Sequence, residues 1–236
     1  MRSYILITLF VASLAQAAWN EHTETREMQL DAGGVRILEI DAGAGSMDVK
    51  GVQGVDSIIV NATIVVSDSD EDDAVKLIDS KMKLSLENHG NRAVLVSDFE
   101  RGMFGSGHDA RIDLEITVPA GLALRIDDGS GSIDILDVAA DGVIDDGSGS
   151  IDVSNVATLV IDEGSGSIDV AEAAGDVSIT DGSGSISVRS VGGSVTIDDG
   201  SGSIKVNDVE KDLVIVDDGS GSQSFTDIRG AIEQDS

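Results

Sequence analysis

Six times between Ile126 and Phe225 the chain writes nearly the same ten residues: IDDGSGSIDI from Ile126, IDDGSGSIDV from Ile144, IDEGSGSIDV from Ile161, ITDGSGSISV from Ile179, IDDGSGSIKV from Ile197 and VDDGSGSQSF from Val216. The first glycine of each copy stands at 129, 147, 164, 182, 200 and 219, so successive copies are 18, 17, 18, 18 and 19 residues apart. So regular a step restricts the fold to one small unit that buries its apolar side by stacking on its neighbours. A looser copy, IDAGAGSMDV at Ile40–Val49, shows that the array starts early and is interrupted.

The two-residue alternation of a strand says how one unit folds. In Leu124–Val143, Leu124 and Ile126 point inward, GSG turns a corner, Ile133 and Ile135 point inward again, and Val138 fills a second corner. The first inward position recurs as Ile144, Ile161, Ile179, Ile197 and Val216, and those after the corner as Ile151, Ile168, Ile186 and Ile204 and as Val153, Val170, Val188 and Val206. Coils of about 18 residues, stacked about 4.8 Å apart, hydrogen-bond as parallel sheets. The expected fold is an all-β, parallel β-solenoid of the β-helix or β-roll type. Gly129 and Gly131 suit the corner because positive φ and close backbone approach are open to them. A phosphate cradle would need a helix after the glycines and a nearby Lys, whereas a strand follows and the flanks are Asp.

The N-terminal half is less regular. Ser57–Ser67, Arg92–Phe99 and Arg111–Val118 read as strands. Ser69–Met82 has acids in its first turn and Val75, Ile78 and Met82 on one helical face, which predicts a short helix near 70–82. Pro119, the sole proline, marks the seam between an irregular part, 18–118, and the regular repeats, 119–236, within one continuous solenoid. Residues 1–17 combine Arg2, an apolar stretch from Tyr4 to Leu14 and the tripeptide Ala15-Gln16-Ala17, the pattern of a cleaved secretory signal. No later segment reaches membrane-spanning length. The expected location is the periplasm, the cell surface or the medium.

With no cysteine, stability must come from packing and backbone hydrogen bonds. The net charge of −29 argues against nucleic acid and against anionic lipid as partners, and leaves cations and basic surfaces. From Val118 onward 24 acidic residues face 5 basic ones.

GSGSIDV repeated on this step, preceded by LEITVPAG (Leu114–Gly121) and a signal peptide, is similar to the bacterial family of candidate adhesins built from β-strand repeats, which includes the head domain of autotransporter adhesins. The resemblance covers most of the mature chain. It implies an exported β-solenoid of the cell envelope, and some domains of this type are implicated in envelope-stress responses. It carries no catalytic motif onto this chain.

Chemistry concentrates in three acid columns. Asp128, Asp146, Glu163, Asp181, Asp199 and Asp218 stand just before the corner in all six copies, Asp127, Asp145, Asp162, Thr180, Asp198 and Asp217 one place earlier, and Asp134, Asp152 and Asp169 after it, fading to Ser187 and Lys205. Like charges about 5 Å apart repel by about 1 kcal/mol per neighbour even in water. No metal site or cofactor is assigned. The first column is a candidate ladder for loosely held screening cations, calcium among them; otherwise its carboxylates accept corner N–H groups and face water. Neither calcium template fits. The β-roll nonapeptide would need an acid where Ile133 stands, and the EF-hand loop one where Ile126 stands.

His22, His89 and His108 are scattered, and between Gly105 and Ser224 there is no aromatic residue on which a sugar could stack. Without a singular nucleophile or base, an enzyme is not expected. One irregular loop, Asp98–Ala110, carries Phe99, Met103 and Phe104, which either cover a solenoid end or form a partner-binding tip. The leading expectation is a non-enzymatic envelope protein, a rigid acidic rod for adhesion or partner contact. A periplasmic regulatory or stress-sensing protein is the first alternative, and a polysaccharide-active β-helix enzyme the second.

Overall fold

The computed structural model describes residues 8–10, 21–67, 70–100 and 109–234. The irregular part comprises β1 (Thr8–Phe10), β2 (Glu21–Asp31), β3 (Ile37–Ala44), β4 (Met47–Val52), β5 (Ser57–Ser67), α1 (Glu71–Lys81), β6 (Met82–Asn88), β7 (Arg92–Phe99) and β8 (Asp109–Pro119). Next, β9 (Ala123–Leu136) runs through a corner as one strand. Five two-strand coils follow: β10 (Gly142–Asp146) with β11 (Gly149–Val156), β12 (Leu159–Glu163) with β13 (Gly166–Ala173), β14 (Val177–Asp181) with β15 (Gly184–Val191), β16 (Val195–Asp199) with β17 (Gly202–Val209), and β18 (Leu213–Asp217) with β19 (Gly221–Ile228). The strand β20 (Ile232–Gln234) begins another turn.

The coils form a parallel β-solenoid with two faces. One stacks the five-residue strands on the first half of β9, the other the eight-residue strands on its second half. Identical residues pair: Ile126 with Ile144, Ile161, Ile179 and Ile197, and Ile133 with Ile151, Ile168, Ile186 and Ile204. All are buried, and Val138, Val156, Ala173, Val191 and Val209 fill the second corner. One position is corrected. Ile215, not Val216, continues the first column, and Val216 is 42% exposed. The 19-residue step contains an extra residue, and the register shifts between Ile197 and Asp198 to absorb it as a bulge.

Close approach decides the corner glycines. A Cβ on Gly131, Gly149, Gly166, Gly184 or Gly202 would be driven into the carbonyl oxygen of the glycine one coil earlier. Gly131 also has φ of 146°, whereas Gly129 is not in the left-handed region and is excluded from other residues by approach alone. The second corner instead uses non-glycine residues in the left-handed region, Asp137, Asn155, Glu172, Ser190, Asp208 and Asp227, with φ between 56° and 61°. Replacing exposed Ser190 by glycine is therefore expected to raise stability by about 0.5–1 kcal/mol, read as a higher urea midpoint.

The interruption adds strands to both faces. Strands β3 and β4 are a true coil, paired in register with β9: Ile40 with Ile126, Met47 with Ile133 and Val49 with Ile135. On their other side β7 pairs with β3 and β8 with β4, both in parallel. Spatially, then, β7–β8 is the coil that precedes β3–β4, although it follows in sequence. Antiparallel pairing of β6 with β7, and of β8, β5, β2 and β1 in turn, extends each sheet further. Pro119 ends β8, and one apolar core runs from Met28 to Ile215.

The helix matches the expected position. Asp70 caps it by accepting the Asp73 N–H at 2.9 Å, and Glu71, Asp72 and Asp73 lie at its positive end. Its buried face is Ala74 and Ile78, spaced i,i+4, while Val75, expected inward, is 41% exposed. No described helix is long and apolar enough to cross a membrane. Of the segment read as a signal, Thr8–Phe10 is described as β1, and the rest lies outside the described residues.

Candidate functional site

The acids just before the corner do not face water. Asp128, Asp146, Glu163, Asp181 and Asp199 are 0–4% exposed and stack in register inside the solenoid. Parity explains it: in a strand whose Leu124 and Ile126 point inward, Asp128 points inward too. The expectation that these carboxylates face solvent and counterions is corrected on that ground.

In part the corner satisfies them. Asp146, Asp181 and Asp199 each accept, through Oδ1, the N–H of the serine two residues on, at 3.2, 3.0 and 3.0 Å. Their Oδ2 atoms, that of Asp128, and both carboxylate oxygens of Glu163 have no partner. Burial is the largest cause pushing all five groups upward. Asp128 is pushed up to about 7, with the Asp146 charge adding to the burial, and Glu163 to about 7, with Asp146 and Asp181 adding. Donation by corner N–H groups pulls the other way at Asp146, Asp181 and Asp199 without cancelling the effect of burial.

Neutral residues close the column at one end. Ala42 of β3 stacks on Asp128, and Ser97 of β7, buried with an unpartnered hydroxyl, stacks on Ala42. At the other end Asp218 is only half-buried and accepts a hydrogen bond from Gln223.

The other two columns do face outward. Asp41, Asp127, Asp145, Asp162, Thr180 and Asp198 form one row on the five-residue-strand face, reaching Asp217 across the bulge. Asp48, Asp134, Asp152, Asp169, Ser187 and Lys205 form the other. The second row lines a shallow groove of about 460 Å³ with Lys50, Leu136 and Arg189, and Arg189 pairs with Asp169 at 2.5 Å. Asp134 is raised by partial burial and by Asp152 and Asp48.

Of the loop candidates, Phe99 ends β7 half-buried against the core, while Met103 and Phe104 lie outside the described residues. His22 lies half-buried on β2, His89 is exposed near Glu87, and His108 is not among the described residues. Among those residues no three His, Cys, Asp or Glu side chains are grouped to hold a metal ion.

No family model and none of the curated proteins matches the chain. Solved structures do match. A candidate cell adhesion protein from Clostridium sporogenes ATCC 15579 is 12% identical, with a TM-score of 0.38 over 90% of this chain and 99% of that one. A candidate adhesin from Bacteroides fragilis NCTC 9343 is 14% identical, with a TM-score of 0.37 over 91% and 97%. Another, from Parabacteroides merdae ATCC 43184, is 11% identical, with a TM-score of 0.29 over 91% and 96%.

Proposed function

We propose that this chain is a non-enzymatic, exported cell-envelope protein, a rigid acidic rod that presents its faces for adhesion or contact with a partner. The two outward carboxylate rows support the reading most directly: they are held in register by the backbone ladders, broken at Thr180 in one and at Ser187 and Lys205 in the other, with Arg189 paired to Asp169 beside the second. Such rows favour a basic or cation-bridged surface, whose charges they meet at a fixed repeat. Among the described residues of the repeats, no carboxylate pair is set apart from its copies as a catalytic pair would be.

Beads coated with the full chain are expected to bind a surface of immobilised polylysine in a salt-dependent way, and cells carrying the chain to adhere better than cells without it. Asp145→Asn with Asp162→Asn and Asp198→Asn should weaken both. Unchanged adherence, combined with altered envelope-stress transcription on deletion, would favour the regulatory alternative instead. Diffuse screening of these rows has its own signature: sodium chloride should raise the melting temperature about as much as calcium at matched ionic strength.

A further inference from the structure

Five buried carboxylates in one file require a compensating charge or the loss of their own. Among the described residues no buried basic group supplies it. The first inward residues after the corner, Ile133, Ile151, Ile168, Ile186 and Ile204, are buried and apolar. The neighbouring ionisable groups on the same strands, Asp127, Asp145, Asp162, Asp198 and Asp217, are acids that point outward, and Asp218 beyond the bulge is another. Outside the first corner lie Asp41, Asp98, Glu100 and Lys83, and the one cation among them, Lys83, is held by Glu100 at 3.0 Å. A divalent metal ion would want about six or more oxygens. Each step of the file offers two stacked carboxylates, and corner carbonyls such as those of Asp128 and Asp146 already accept N–H groups of the next coil, both at 3.0 Å. A bare proton needs only the unpartnered oxygen.

We propose that Asp128, Asp146, Glu163, Asp181 and Asp199 form an internal proton-binding file, in which carboxyl groups of adjacent coils are held neutral or share protons through their unpartnered oxygens. Each proton comes from solvent as the solenoid folds and returns to it on unfolding. The upward shifts of all five groups agree in sign. A folded-state value above the unfolded one gives stability that is fully present below the unfolded value and lost as pH rises through the folded value. For Asp128 and Glu163, raised from 3.8 and 4.5 to about 7, the loss runs from about pH 4 to just above 7. The file thus tightens the rod in acid and loosens it in mild alkali, whatever its outer faces bind.

The test uses the full chain at constant ionic strength. Its urea midpoint is expected to fall steadily from about pH 5 to about pH 8, with a slope reporting release of more than one proton per molecule on unfolding. Infrared spectra of the folded protein near pH 6 should show a carboxylic-acid C=O band, distinct from the carboxylate bands and shifted in D₂O. Asp146→Asn with Asp181→Asn keeps the Oδ1 acceptors, and should weaken that band, flatten the slope and raise the midpoint above pH 7. The outward pair Asp145→Asn with Asp198→Asn, whose charges are only minor causes of the shifts at Asp146 and Asp199, should leave the band in place and flatten the slope far less. Absence of the acid band at pH 6 would overturn the proposal, and that reading needs no variant to fold. So would a wild-type slope that calcium abolishes at fixed ionic strength, because the file would then hold metal rather than protons.

Discussion

Gly166→Ala is expected to cost at least about 3 kcal/mol and to leave the chain partly unfolded at room temperature. The methyl group would be aimed at the carbonyl oxygen of Gly149, one coil away, well inside contact distance. An exposed side chain could swing aside, but a backbone carbonyl in a parallel ladder cannot move without breaking its own coil. Gly149 donates its N–H to the Ser165 carbonyl at 3.1 Å and Gly166 donates its own to the Ser183 carbonyl of the following coil at 3.0 Å, so displacing Gly166 would strain bonds to both neighbouring coils. Gly121→Ala is the control, since its Cβ would have open space and its φ lies outside the left-handed range. That change should be neutral or should stabilise by about 0.5 kcal/mol. Urea denaturation followed by far-ultraviolet dichroism measures both, and equal effects would refute the stacked-glycine corner.

Ile168→Asp is the second large change. Ile168 is 1% exposed and sits between Ile151 and Ile186 in the column after the corner. An aspartate there has no N–H donor placed for it, unlike the carboxylates before the corner, and loses an aliphatic packing partner above and below. A loss of about 4 kcal/mol or more follows from the unpaired polar group and the emptied volume together. Asp134→Ser, on an exposed outward position of the same face, should change stability by less than about 0.5 kcal/mol. Comparable losses at the two sites would mean that the strand register is wrong.

The interior carboxylate file shows where reasoning from the residues stopped short. Alternation from Ile126 already puts Asp128 inside, and the same count holds in every copy. The general rule that acids are almost never buried without partners points the other way. It failed because the corner begins at Gly129: the last inward position of each short strand lies beside serine N–H groups that one carboxylate oxygen can accept. The loop candidates differ, since only Phe99 is among the described residues.

The repeat step and the two-residue alternation are local properties, so the sequence by itself determined the parallel solenoid, its aliphatic columns, its corner glycines and the two outward acid rows. It also identified Ile40–Val49 as an early coil, because that segment carries the repeat's own pattern. The tertiary structure decided what no local pattern encodes. It set which side of that coil the interruption stacks on, so that β7–β8 precedes β3–β4 in space, since exposed edges on either side of a coil offer the same backbone groups and only the packing of the whole insert distinguishes them. It absorbed the odd 19-residue step as a bulge at Val216 rather than a shift of the column. It also left six buried carboxyl oxygens of the file unpartnered, because satisfaction of a polar atom depends on everything around it and not on its place in the repeat.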